Sequence, residues 1–200
     1  MLNDVKTEIV YREMLYRGIE LKERRLTQRG LAKVCRVSPG LVNFAIKPLR
    51  RMGAIAIQSR SFVLIDPWKA LMYWCSIRVL QREITYSTHV RARIEEIEAG
   101  LPRGCIPTAY TAYRERFDDV PSDYSEVYVY GDRDEFVKRF GEGGGDRPNL
   151  IVLKGDGHLL SLGQAPLAQI YADLWNIETW YARRFLTKLG EKIEALIGGE

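Results

Sequence analysis

Residues 26–66, LTQRGLAKVCRVSPGLVNFAIKPLRRMGAIAIQSRSFVLID, read as two short helices joined by a tight turn and followed by a β-hairpin. Thr27 is placed to cap the first helix, whose apolar positions Leu31, Val34 and Cys35 are assigned to one face. Arg36-Val37 lead into a second start signal, in which Ser38 caps and Pro39 takes the first helical position, where its missing N–H costs nothing. Gly53 closes the second helix. Two alternating runs, 54–57 and 62–65, flank the polar tip Gln58-Ser59-Arg60. This order of elements is that of a winged helix-turn-helix, with the tip as its wing.

A helical projection of the second helix separates two faces. With Val42 inward, Ala45, Ile46, Leu49 and Met52 gather around it, while Gly40, Phe44, Lys47 and Arg51 point away, flanked by Asn43 and Arg50. In such a motif the second helix enters the major groove, where Asn pairs with adenine edges, Arg or Lys pairs with guanine edges, and neighbouring cations hold phosphates. The expected DNA-contacting residues are therefore Thr27, Gln28 and Arg29 on the first helix, Ser38, Gly40, Asn43, Phe44, Lys47, Arg50 and Arg51 on the second, and Gln58, Ser59 and Arg60 on the tip. Phe44 has two readings, contact with a thymine methyl or packing against a neighbouring element. Pro48 removes one helical hydrogen bond and is expected to bend the last turn. The competing reading of the whole face is a solvated surface of a small helical domain.

Charge points the same way. Positions 1–66 hold 13 Lys and Arg against 6 Asp and Glu, +7, so the chain total of +4 leaves −3 for the remainder. Arg24, Arg25, Gln28 and Arg29 stand where polar and cationic groups meet a phosphate backbone.

With 200 residues, 46% of them hydrophobic, the chain can bury a core in two modest domains or one larger one. No stretch approaches a membrane span and no secretion signal leads the sequence, so a cytoplasmic location without membrane partners is expected. Cys35, Cys75 and Cys105, odd in number and widely spaced, suit reduced thiols, and His89 and His158 lack the spacing of metal ligands; no metal or cofactor is expected.

Asp66-Pro67 open a helix read to Ile84, apolar around almost its whole circumference, which makes Tyr73, Trp74, Ile77 and Leu80 candidates for cover by a second subunit. Helix 1, read from Asp4 to Tyr16, carries an apolar strip at Val10, Tyr11 and Met14 beside an inward set of Val5, Ile9 and Tyr16. Beyond residue 85 the pattern predicts helices over 86–99, 108–117 and 133–140, a strand over 126–130, and a strand pair, 150–153 with 158–161, around Gly155-Asp156-Gly157. Pro166 then opens a long helical region interrupted near Asn176-Ile177. The expected fold is α+β or α/β: a DNA-binding domain over 1–66, a connecting helix over 67–85, and a small mixed-sheet domain covered by helices over 86–200.

Three features imitate chemistry. The glycine-rich 141–148 lacks a Gly-Lys-Ser/Thr ending and reads as a flexible connection. Asp132-Arg133-Asp134 follows a strand like the paired carboxylates of a nucleotidyltransferase, but stands at a predicted helix N-terminus, where capping accounts for it. Ser87, His89 and the aspartates have no nucleophile-elbow motif around them.

Taken together, LTQRGLAKVCRVSPGLVNFAIKPLRRMG, the distal GCIPTAYTAYRERF, the strand SEVYVYG and PLAQIYADLWNIETWYARRF resemble prokaryotic winged-helix regulators of the AbiEi antitoxin-like group. The resemblance implies a DNA-binding repressor, often of its own promoter, whose C-terminal domain is related in fold to nucleotidyltransferases and carries no catalytic centre. The expectation is thus a sequence-specific transcriptional regulator, not an enzyme, that acts on double-stranded DNA as a homodimer, with a protein partner such as a toxin. The alternatives are a nucleotidyltransferase that uses the winged helix to hold its substrate, and a winged-helix protein-protein interaction module.

Overall fold

The computed structural model describes residues 2–199, with side chains from residue 6 onward, and shows a mixed α+β protein with two small sheets. It packs as two compact units, one comprising Met1–Arg78, Pro166–Ala172 and Gly190–Glu200 and the other Val79–Ala165 and Asp173–Leu189. These do not follow the linear divisions expected at 66 and 85, because the helix after residue 66 packs on helix 1 and the C-terminal helices contribute to both units.

The first unit is built on α1 (Leu2–Leu15), α2 (Gln28–Cys35), α3 (Pro39–Arg51) and α4 (Pro67–Ile77). Val10, Tyr11 and Met14 of α1 are fully buried, whereas Ile9 and Tyr16, expected inward, are only half-buried, and the side chain of Val5 lies outside the described residues. Thr27 Oγ1 accepts from the Gly30 N–H at 3.0 Å, Ser38 Oγ from Leu41 N–H at 3.2 Å, and Asp66 Oδ1 from Lys69 N–H at 2.8 Å, so three helix starts are held by the expected caps. Pro48 leaves α3 continuous to Arg51. On α2 it is Ala32, not Val34, that joins Leu31 and Cys35 inside; Val34 is exposed because it lies about a quarter-turn off that face. Met52 is also exposed, since the backbone has left helical geometry at the C-cap.

Strands β1 (Arg25–Leu26), β2 (Ile55–Ile57) and β3 (Phe62–Leu64) form an antiparallel sheet in the order β1-β3-β2. The hairpin strands are each one residue shorter than expected, and β1 has too few residues to show an alternating pattern. A π-helical turn, Tyr16–Glu20, follows α1; a Cβ on its Gly18 would stand 2.5 Å from Leu64 Cδ2, so a larger residue there would have to displace that buried side chain.

Helix α4 stops at Ile77 instead of Ile84. Trp74 is fully buried: its Nε1 donates to Glu8 Oε2 at 3.0 Å, and Glu8 is also ion-paired with the buried Arg78. Leu80 is likewise buried within the single chain, whereas Tyr73 is half-buried and Ile77 is 39% exposed.

In the second unit, β4 (Ile84–Thr88), β5 (Ile106–Pro107), β6 (Val127–Tyr130) and β7 (Leu150–Leu153) form a mixed sheet ordered β4-β7-β6-β5, parallel only between β6 and β7. The helix expected over 86–99 is therefore replaced by β4, a loop and the short α5 (Ile94–Ala99). ITYST is rich in β-branched and aromatic residues and pairs with β7, which overrides its helical reading. Helix α6 (Ala109–Phe117) and the α7 crossover (Arg133–Phe140) match expectation within a residue. The strand expected at 158–161 is instead α8 (Gly157–Leu162), because Asp156 caps it by accepting from His158 and Leu159 N–H.

One face of the sheet packs Tyr86, Val127, Val129, Leu150 and Val152 against Ile97 and Phe136, and all four residues of β7 are buried. The glycine-rich 141–148 is not a loose connection: Gly144 N–H donates to Ser87 O at 2.9 Å and Gly144 O accepts from His89 N–H, so the segment lies along β4 and shields an open strand edge. Helices α9 (Leu167–Trp175) and α10 (Ala182–Gly198) complete the chain, with the expected break between them. None of the described helices is long and apolar enough to cross a membrane.

Candidate functional site

The cations of the first unit are unevenly distributed. Residues 24–65 contain nine Lys and Arg and no Asp or Glu. Among the described side chains of α1, the acidic ones are used internally: Glu8 by Arg78 and Trp74, and Glu13 by Arg17. Glu20 accepts from the Leu167 N–H. Two cations expected near the motif are engaged as well. Arg24 Nη2 donates to Ile197 O at 2.6 Å, beside a Lys22 bond to Leu196 O, so both charges sit on the carbonyl end of α10, where the helix dipole favours them. Arg25 donates to Gln58 Oε1 at 2.7 Å.

Of the expected contact residues, Thr27 and Ser38 spend their hydroxyls on caps, and Gln58 is held by Arg25 and Ser61. Gln28 is half-buried and Arg29 exposed. Gly40, Asn43, Phe44, Lys47, Arg50 and Arg51 are all exposed along α3, and Ser59 and Arg60 are exposed at the hairpin tip. Among the described residues, Arg29, Asn43, Lys47, Arg50, Arg51 and Arg60 form no hydrogen bond or ion pair through their side chains. The structure therefore gathers a cationic surface in which α3 supplies four of these six uncommitted side chains.

The α3 surface divides into two stripes. Gly40, Phe44, Lys47 and Arg51 recur at helical spacing on one side, with Asn43 and Arg50 beside them. Phe44, Lys47 and Arg51 border a groove of about 490 Å³, whose other walls include Tyr11 of α1 and Tyr73 and Ile77 of α4. Tyr11 and Tyr73 meet edge to face at 5.8 Å, and Tyr11 OH donates to Ala45 O at 2.9 Å, which fixes the groove wall to the backbone of α3. Phe44 remains 54% exposed. Sequence reasoning missed Tyr11, Tyr73 and Ile77 because their role depends on where α1 and α4 pack; their only signal was the excess of apolar positions on those helices.

In the second unit, Asp132 Oδ1 accepts from the Asp134 N–H at 2.9 Å, capping α7, and both carboxylates are exposed. Asp132 borders a cavity of about 520 Å³ at the carboxyl ends of β6 and β7, lined also by Arg103, Cys105 and Lys154; Asp134 does not line it. Burial pushes the Cys105 thiol up to about 11, so it is protonated at neutral pH. Among the described residues no three His, Cys, Asp or Glu side chains are grouped to hold a metal ion. On the other face, burial raises the Tyr110 and Tyr124 phenols, leaving them as donors; Tyr124 OH donates to Glu98 Oε1 at 2.7 Å.

His158 is buried, while His89 is exposed with Nδ1 2.9 Å from Arg147 O. Cys35, Cys75 and Cys105 form no disulfide; the first two are buried and Cys105 is half-buried. No protein-family model, curated protein or solved structure matches this chain.

Proposed function

We propose that the first unit is a winged helix-turn-helix that binds duplex DNA, with α3 in the major groove and the β2–β3 hairpin as the wing. One observation carries this reading: residues 24–65 are free of acidic side chains, and Lys47, Arg50 and Arg51 of α3 have no partner among the described residues. Uncommitted cations on one helix are what counterion release from a phosphate backbone needs, whereas an ordinary solvated helix interleaves both signs. In this proposal the protein is a cytoplasmic transcriptional regulator, a repressor of the antitoxin-like kind, and not an enzyme. It works as a homodimer, since one such module covers only a half-site. The exposed Trp175 and Trp180 of the second unit, 48% and 69% accessible, support an apolar surface for pairing or for a protein partner such as a toxin.

The test is selection of bound duplex fragments from the source genome, followed by light scattering of the complex. Recovery of a defined site with two protomers bound supports the reading; absence of any retained fragment at low salt overturns it. The cavity beside Asp132 favours a second reading, nucleotidyl transfer, which the Asp132/Asp134 variant described below separates from the first.

A further inference from the structure

We infer that the groove between α3 and α4 is a binding site for a small aromatic carboxylate, and that such a ligand competes with DNA for Lys47 and Arg51. The DNA half of this inference rests on the proposed function; the groove itself does not.

Its walls and rim have different chemistry. Tyr11, Tyr73, Ile77 and Phe44 present aromatic and aliphatic carbon, and Ile77 and Phe44 remain 39% and 54% exposed. Lys47 and Arg51, one helical turn apart on α3, place two cations on the same groove, and neither has an ion-pair partner among the described residues. The one carboxylate lining the groove, Glu8, is 8% exposed and already neutralised by the Arg78 ion pair and the Trp74 indole N–H, so it does not oppose an incoming anion. A volume of about 490 Å³ lies within the range of small-molecule sites. The ligand that satisfies both parts has a flat apolar body for the aromatic walls and one negative charge for the rim, where a carboxylate takes charge-assisted hydrogen bonds from Arg51 and Lys47.

The consequence for DNA follows from shared donors. A carboxylate held by Lys47 and Arg51 removes two cations from phosphate or base contact, so ligand and DNA bind with negative linkage, and each lowers the affinity for the other by the same factor.

The test uses the full chain, with 2-naphthoate as probe and 2-naphthylmethylammonium as the control of opposite charge, read by titration calorimetry. The expected result is saturable binding of the naphthoate, none of the ammonium, and a loss of roughly tenfold or more in the K47Q/R51Q variant. Both positions are exposed, so the variant is expected to fold; far-ultraviolet circular dichroism checks this, and Ile77→Trp, which fills the groove while leaving both charges, must block the probe as well. No naphthoate binding at millimolar concentration, equal binding of the ammonium, or binding indifferent to both variants overturns the inference. Naphthoate binding that depends on Lys47 and Arg51, in a protein that retains no DNA, upholds the groove and overturns the DNA reading alone.

Discussion

Salt is the perturbation that weighs the proposed DNA contacts most directly. Of the nine cations in residues 24–65, Arg24 and Arg25 are committed inside the chain, and five of the remainder, Arg29, Lys47, Arg50, Arg51 and Arg60, stand at the proposed contacts. If each neutralises one phosphate, log affinity falls with log salt at a slope of about −4.5 per protomer, from roughly −0.9 per contact. Raising salt from about 50 to 200 mM then weakens binding about 500-fold per protomer. Substituting Gln at any one of the five takes about 0.9 off the slope, whereas Arg24→Gln leaves it nearly unchanged because that charge already serves the end of α10. Fluorescence anisotropy of a labelled duplex across a salt series measures the slope. A value shallower than about −2, or a slope that survives loss of Lys47, Arg50 and Arg51 together, refutes the assignment of α3 to the DNA surface.

Three further outcomes are expected. Asn43→Ala or Lys47→Ala costs about 1–3 kcal/mol on the preferred site and relaxes base choice, while Arg60→Ala weakens all sequences alike; competition binding against single-base variants distinguishes these, and altered preference from Arg60→Ala alone reverses the roles. Replacing Asp132 and Asp134 by Asn leaves DNA affinity unchanged, since Asn also caps α7. Magnesium-dependent transfer from a nucleoside triphosphate that is lost in that variant establishes the enzyme reading instead. Arg78→Met strands the Glu8 carboxylate in the first unit and destabilises it by about 3–5 kcal/mol in urea, whereas E8L/R78M recovers much of that loss; a single-variant cost under about 1 kcal/mol shows that the pair is not structurally important.

What the sequence by itself determined was local. Thr27, Ser38-Pro39, Asp66-Pro67 and Gly53 mark their helix ends with groups that bond within a few residues, so no distant partner is needed to read them. The exposed face of α3 was legible for the same reason: with Val42, Ala45, Ile46 and Leu49 inward, the 3.6-residue period puts Asn43, Lys47, Arg50 and Arg51 outside. Tertiary structure decided whatever needed a partner remote in the chain. ITYST becomes β4 because β7 lies more than sixty residues away to receive it, and Arg25-Leu26 count as a strand only beside Phe62-Val63. Arg24 and Arg25, indistinguishable in sequence from the other cations, are withdrawn from the surface set by Ile197 and Gln58. The groove beside Phe44 exists only because α4 brings Tyr73 and Ile77 against α3, a juxtaposition of side chains some thirty residues apart that no local period encodes.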